Sequence, residues 1–174
     1  MSQTTNPPEP ESEIDIELTI NGKEVSGTVE ADTLLSSFLR EGVFLTGVHR
    51  GCESTRCGAC TVLLDGEPVK SCNILAVQVD GKEVKTVEGL ADPDGSLHPV
   101  QQAFWDTHGM QCGYCTPGMV LNAVSLLEEN DDPTVTEIQE RLSGNICRCT
   151  GYTKIIESVK NAATELDEED RNIQ

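Results

Sequence analysis

Eight cysteines constrain this chain more than any other feature, because their spacing divides them into two sets of four. Cys52, Cys57, Cys60 and Cys72 read C-x4-C-x2-C with a fourth cysteine further on. That is the spacing of plant-type [2Fe–2S] ferredoxins. A tight loop can bring three sulfurs round one edge of a diiron rhomb only if its backbone wraps closely, and Gly51 and Gly58 stand where that wrapping is needed. Amides near Gly58 and Ala59 are expected to face the negatively charged cluster sulfides, and Cys72 to close the site from a returning strand. Structural zinc is the competing occupant. It favours paired C-x2–4-C knuckles, which Cys57 and Cys60 could form, but Cys52 would then be redundant.

Cys112 and Cys115 form a C-x2-C pair, and 31 residues later Cys147 and Cys149 form C-x-C. Each pair precedes an expected helix, whose N-terminus favours thiolates and an anionic cluster. Spacing alone leaves zinc open for this second set, although a C-x-C chelate is strained for a tetrahedral ion. The bacterial C-x2-C-x2-C-x3-C run is absent, and no Cys-x-His pair exists for a Rieske centre. There is no P-loop, no G-x-G-x-x-G and no nucleophile–base constellation. Two one-electron centres without substrate machinery describe an electron conduit.

The first fifteen residues lack the basic start and apolar centre of a secretory signal, so the expected compartment is reducing and the cysteines read as ligands rather than disulfides. Acids outnumber bases 30 to 12, for a formal charge of −18, which repels nucleic-acid phosphate. No apolar run is long enough to span a membrane. Aromatics make up only 3%, so neither half is expected to bury a large core without metal.

Residues 1–13 read as a disordered tail. Ile14, Ile16, Leu18 and Ile20 alternate as a strand, Asn21-Gly22 turns it, and Val25 and Val29 lie on the return. Asp32 or Thr33 is placed to cap a helix carrying Leu34, Leu35, Phe38 and Leu39, which Gly42 ends. Thr61–Leu64, the Asp65-Gly66 turn and Pro68–Ser71 make a second hairpin. A short element at Ile74–Val79 and a strand near Val84–Val87 follow. The expected fold is α+β: a β-grasp unit over 14–91, then an all-helical unit over 92–166, with a solvated acidic tail at 167–174. The helices are expected at 97–107, 117–129, 134–142 and 153–165. Thr116-Pro117, a Thr134–Glu137 capping box and Thr153 supply their starts. Ile155, Ile156, Val159, Ala162 and Ala163 form the apolar stripe of the last helix.

The stretches GCESTRCGACTVLLDGEPVKSC (51–72), QCGYCTPGMV (111–120) and SGNICRCTGY (143–152) closely resemble the iron–sulfur subunit of the molybdenum hydroxylases. That family includes xanthine dehydrogenase, aldehyde oxidoreductases and aerobic carbon monoxide dehydrogenase. The resemblance spans roughly residues 14–165. It implies a plant-ferredoxin-like domain followed by a four-helix domain, each with one [2Fe–2S] cluster. It implies a cytoplasmic electron-transfer subunit rather than the catalytic chain. Its partners would be a large subunit with a molybdopterin cofactor and a medium subunit with FAD, assembled as a dimer of heterotrimers. Electrons would run from molybdenum through the second set, then the first, to FAD. Gln111 and Cys149 stand where the family contacts the pterin. Arg56 departs from the pattern, since a small or polar residue is commoner there. His49, three residues before Cys52, is expected to be a structural or surface residue, and Phe104 and Trp105 to pack in the core or an interface.

Overall fold

The computed structural model describes residues 13–166. Of the tails expected at 1–13 and 167–174, residues 1–12 and 167–174 lie outside the described residues, whereas Glu13 belongs to a strand. Strand β1 (Glu13–Ile20) begins one residue earlier than the alternation predicts, where Glu13 pairs with Glu30. It returns as β2 (Lys23–Glu30) through a turn in which Asn21 and Gly22 have φ of 51° and 72°. Two successive left-handed residues match the right-handed twist of the flanking strands. Strands β3 (Thr61–Leu64) and β4 (Glu67–Lys70) repeat the device with Asp65 and Gly66. With β5 (Glu83–Lys85), the sheet runs β2-β1-β5-β3-β4. Its β1–β5 pair is parallel and the other pairs are antiparallel.

The first helical segment is shorter and less regular than its periodicity suggests. One α-turn, α1 (Leu35–Ser37), runs straight into a π-turn over Phe38–Gly42. Neither Asp32 nor Thr33 caps it; the cap position is Leu34, without a side-chain bond. Tertiary hydrogen bonds replace the cap. The Leu35 amide donates to the Ile74 carbonyl (2.7 Å) and the Ala76 amide to the Thr33 carbonyl (2.7 Å). That tie also fixes the later part of the short element at Ile74–Val79 as a 3-10 turn (Ala76–Val79). Lys85 ends the last strand, and Val87–Gly89 is a further 3-10 turn.

The helices are α2 (Pro99–Asp106), α3 (Thr116–Glu129), α4 (Val135–Leu142) and α5 (Thr153–Glu165). His98 caps α2 by accepting from the Val100 amide (3.2 Å), so that helix starts two residues later than expected. The Thr134–Glu137 box forms as predicted, with Glu137 accepting from the Thr134 amide at 2.7 Å. Two expected caps fail. Cys115, not Thr116, occupies the cap of α3, and Thr116 Oγ1 is sealed from solvent without a partner. Tyr152, in the left-handed region (φ 67°), precedes α5, and its amide donates to Thr150 rather than Thr153 acting as cap.

Two apolar cores result. Ile16, Leu18, Ile20, Leu35, Phe38, Leu39, Val62, Val79 and Val84 fill one beneath the sheet. Phe104, Met119, Val124, Leu127, Ile138, Leu142, Ile155 and Val159 fill the other between helices. Aliphatic side chains therefore supply what the scarce aromatics do not, and both cores are larger than composition suggests. Strand β3 serves both, since Val62 faces the first core and Leu63 the second. Phe104 is buried, whereas Trp105 is 63% exposed. Among the described residues no helix is long and apolar enough to cross a membrane.

Candidate metal centres

The first set grows from the β3–β4 hairpin and the loop before it. Register pairs Thr61 with Lys70, so Cys60 and Cys72 flank the hairpin's open end. Ser71 fastens that end by donating its hydroxyl to the Cys60 carbonyl at 2.7 Å. Cys60 and Cys72 are buried and their thiols interact, while Cys52 and Cys57 are half-buried on the loop. Burial, followed by the contact with Cys72, pushes the Cys60 thiol up to about 11. Cys52 moves the other way. The amides of Ser54 (3.4 Å) and Cys57 (3.3 Å) donate to its Sγ and lower its pKa to about 6. Those two amides are the donors aimed at Cys52 sulfur.

Winding this loop needs left-handed backbone at Glu53 (φ 48°), Thr55 (φ 62°) and Gly58 (φ 71°). Thr55 is an unfavourable residue for that region, and Lys70 Nζ holds its carbonyl at 2.6 Å. Gly51 contributes space instead: a Cβ there would lie 3.2 Å from Cys57 Sγ.

The second set joins the end of the α2–α3 connection to the α4–α5 connection. Cys112 and Cys149 are exposed, with sulfurs 3.6 Å apart. Cys115, at the cap of α3, and Cys147 are half-buried, and their thiols interact. Burial, then Cys147, pushes Cys115 up to about 12. For Cys147 burial also opposes the thiolate, but hydrogen bonds from the Thr150 hydroxyl (3.2 Å) and from local amides outweigh it and lower the pKa. Thr150 and Tyr152 are residues that spacing rules did not single out. The Tyr152 hydroxyl accepts from the Cys147 amide at 2.9 Å. Gln111 is exposed beside Cys112.

Among the described residues no three or more His, Cys, Asp or Glu gather as the ligand set of one ion. The thiols gather in pairs: Cys60 with Cys72, Cys112 with Cys149, and Cys115 with Cys147. Cys52 and Cys57 are joined through the amide contact. Two thiolates per iron is what a [2Fe–2S] rhomb takes, whereas tetrahedral zinc takes four at one point. The donor set therefore fits a diiron cluster at each place.

The two sets are in direct contact. The Ile146 amide donates to the Cys57 carbonyl at 2.8 Å. Asn145 Nδ2 donates to the Gly58 carbonyl at 3.2 Å, and Asn122 Nδ2 to Asn145 Oδ1 at 3.1 Å. Gly118 of α3 sits so close that a Cβ there would lie 2.2 Å from the Gly58 carbonyl oxygen.

Comparison with known proteins agrees with this construction. Residues 18–91 match the family model described as a 2Fe-2S iron-sulfur cluster binding domain, and residues 86–160 match a [2Fe-2S] binding domain. The chain is 46% identical to the nicotine 6-hydroxylase small subunit of Paenarthrobacter nicotinovorans, over 91% of this chain and 95% of that one. It is 48% identical to caffeine dehydrogenase subunit gamma of Pseudomonas sp. (strain CBB1), over 85% and 90%. Among solved structures, quinoline 2-oxidoreductase from Pseudomonas putida 86 superposes with a TM-score of 0.85 at 45% identity, covering 87% of this chain and 94% of that one. Thiol pairs, cluster-binding domains and relatives agree, and the chain belongs to the small iron–sulfur ([2Fe–2S]) subunits of the molybdenum hydroxylase family, the electron-transferring and non-catalytic part of multi-subunit oxidoreductases.

Proposed function

We propose that this chain holds two [2Fe–2S] clusters and relays single electrons from a molybdopterin centre in a large partner subunit to FAD in a medium partner subunit. Cys52, Cys57, Cys60 and Cys72 hold the first cluster. Cys112, Cys115, Cys147 and Cys149 hold the second. When bound, each cluster takes up and gives back one electron. The chain's own groups set the conditions for that. Amides of Ser54 and Cys57 face Cys52 sulfur, and the Thr150 hydroxyl faces Cys147 sulfur, so anionic sulfur is favoured at both places.

Gln111 and Cys149 face the pterin, and electrons enter there. Their exposure, with that of Cys112, supports a docking face at the second set. The observation that carries the reading is the hydrogen bond from the Ile146 amide to the Cys57 carbonyl. It joins a ligand of the first cluster to the residue preceding a ligand of the second, so the route crosses one hydrogen bond and no solvent gap.

In this reading residues 14–91 are a plant-ferredoxin-like β-grasp unit, which the sheet order β2-β1-β5-β3-β4 supports. Residues 92–166 are the four-helix unit, which the core between α2, α3, α4 and α5 supports. The complex is a dimer of heterotrimers in the cytoplasm, where eight free thiols stay reduced. Relatives named for nicotine, caffeine and quinoline share this small chain's pattern, which supports leaving substrate choice to a partner.

Replacement of one ligand in each set tests the assignment. Cys115→Ser in the assembled complex is expected to abolish one low-temperature EPR signal of the reduced protein and spare the other, and Cys57→Ser to do the reverse. Loss of both signals, or of neither, in variants that still assemble would contradict the division into two fours.

A further inference from the structure

The loop of the first set is gripped on both flanks by segments of the second. Asn145 and Ile146 hold it at Cys57 and Gly58. Tyr114, which lies between Cys112 and Cys115, holds the other flank at the residues just before Cys52. His49 Nδ1 lies 2.8 Å from the Tyr114 carbonyl oxygen, so that ring nitrogen carries the proton and donates. The imidazole and phenol rings stack with centroids 4.6 Å apart and planes inclined by 18°. The phenol hydroxyl donates to the Arg50 carbonyl at 3.0 Å. A Cβ on Gly51 would lie 3.4 Å from Tyr114 Cε1 and 3.2 Å from Cys57 Sγ, so the phenol ring and a first-set thiol both border the space that a side chain at Gly51 would fill.

Tyr114 belongs to neither apolar core and is 49% exposed. Its ring therefore adds little to burial. Its contacts connect one cysteine loop to the other, across 65 residues of sequence to His49. An aromatic stack with two hydrogen bonds is a directional contact that fixes orientation as well as distance.

We propose that Tyr114, seated on His49, is a positioning residue that clasps the Cys112–Cys115 loop to the Cys52–Cys57 loop and thereby fixes the separation and orientation of the two redox sites. The inference rests on the two-cluster reading above. One electron lost at the second site is gained at the first, with no bond made or broken and no proton moved. Tunnelling falls steeply with distance, so a loop held on one flank only would sample longer, slower separations.

The test uses the assembled, iron-loaded complex with Tyr114→Phe, Tyr114→Ala and His49→Ala. Iron and acid-labile sulfide are counted in each. The readouts are the spin–spin splitting of the fully reduced EPR spectrum and the rate of electron exchange between the two sites after photoreduction. Tyr114→Ala and His49→Ala are expected to keep full iron, to change the splitting and to slow the exchange several-fold. Tyr114→Phe, which keeps the stack and loses only the Arg50 hydrogen bond, is expected to fall between them and wild type. Wild-type splitting and rate in Tyr114→Ala and His49→Ala at full iron content would overturn the clasp. If Tyr114→Ala loses iron, His49→Ala and Tyr114→Phe decide on the same terms. A single EPR signal in the wild-type complex would overturn the two-cluster reading and the clasp with it, whereas two signals indifferent to all three variants would overturn the clasp alone.

Discussion

Single thiols in this chain are tuned apart by their immediate neighbours. Two amides point at Cys52 and pull its pKa down to about 6, while burial lifts Cys60 to about 11 and Cys115 to about 12. The direction for Cys52 makes folding of the iron-free chain more favourable above the ordinary thiol pKa of 9.0, and that contribution fades as pH falls from there through about 6. Alkylation of iron-free protein, followed residue by residue by mass spectrometry, is therefore expected to modify Cys52 fastest at neutral pH and Cys60 and Cys115 slowest. Equal rates at all eight would contradict the tuning. Arg56, exposed in the same loop, adds a cation beside the first site. A cation favours the more negative, reduced cluster, so Arg56→Ser is expected to lower the midpoint potential of the first cluster in a redox titration, and an unchanged midpoint would count against it.

At the level of elements, α3 is the axle of the molecule. Every residue from Gly118 to Leu127 is buried, and its first turn touches both cysteine loops. Gly118→Ala would drive a methyl group against the Gly58 carbonyl, a backbone atom with little freedom to yield. Overpacking of this kind costs about 1–3 kcal/mol. Thermal unfolding of the holo protein is expected to fall accordingly, with the iron of the first site lost before that of the second. Unchanged melting would show that the helix can shift without penalty.

The same scale shows which parts of the fold were legible in the sequence. Period-two alternation, the Asn21-Gly22 and Asp65-Gly66 turns and the Thr134–Glu137 box are local signals, and each forms. The cap of α1 was not legible, because hydrogen bonds to Ile74 and Ala76 replace it from some forty residues away in sequence. A Thr153 cap is the local expectation for α5, but Tyr152, a bulky residue, takes the left-handed position before the helix that is usually left to glycine or asparagine. Spacing alone divides the cysteines into two groups of four, and the close thiols Cys60 and Cys72, Cys112 and Cys149, and Cys115 and Cys147 fall within those groups. What joins the two groups was not legible: Tyr114, Asn145 and Ile146 lie inside the motifs, but their partners at 49, 50, 57 and 58 carry no periodic mark of the contact.

Over the whole molecule, two cores share strand β3, and the cysteine loops meet where those cores meet. The formal charge is −18, and the exposed thiols of Cys112 and Cys149 lie where the proposed function puts the docking face. Low-temperature EPR of the fully reduced, assembled complex with spin counting tests the central claim most directly. Two distinct signals, each integrating to about one unpaired electron per copy of this chain, are the result expected from two diiron sites. One signal only, or zinc in place of iron at either set of four thiols, would contradict it.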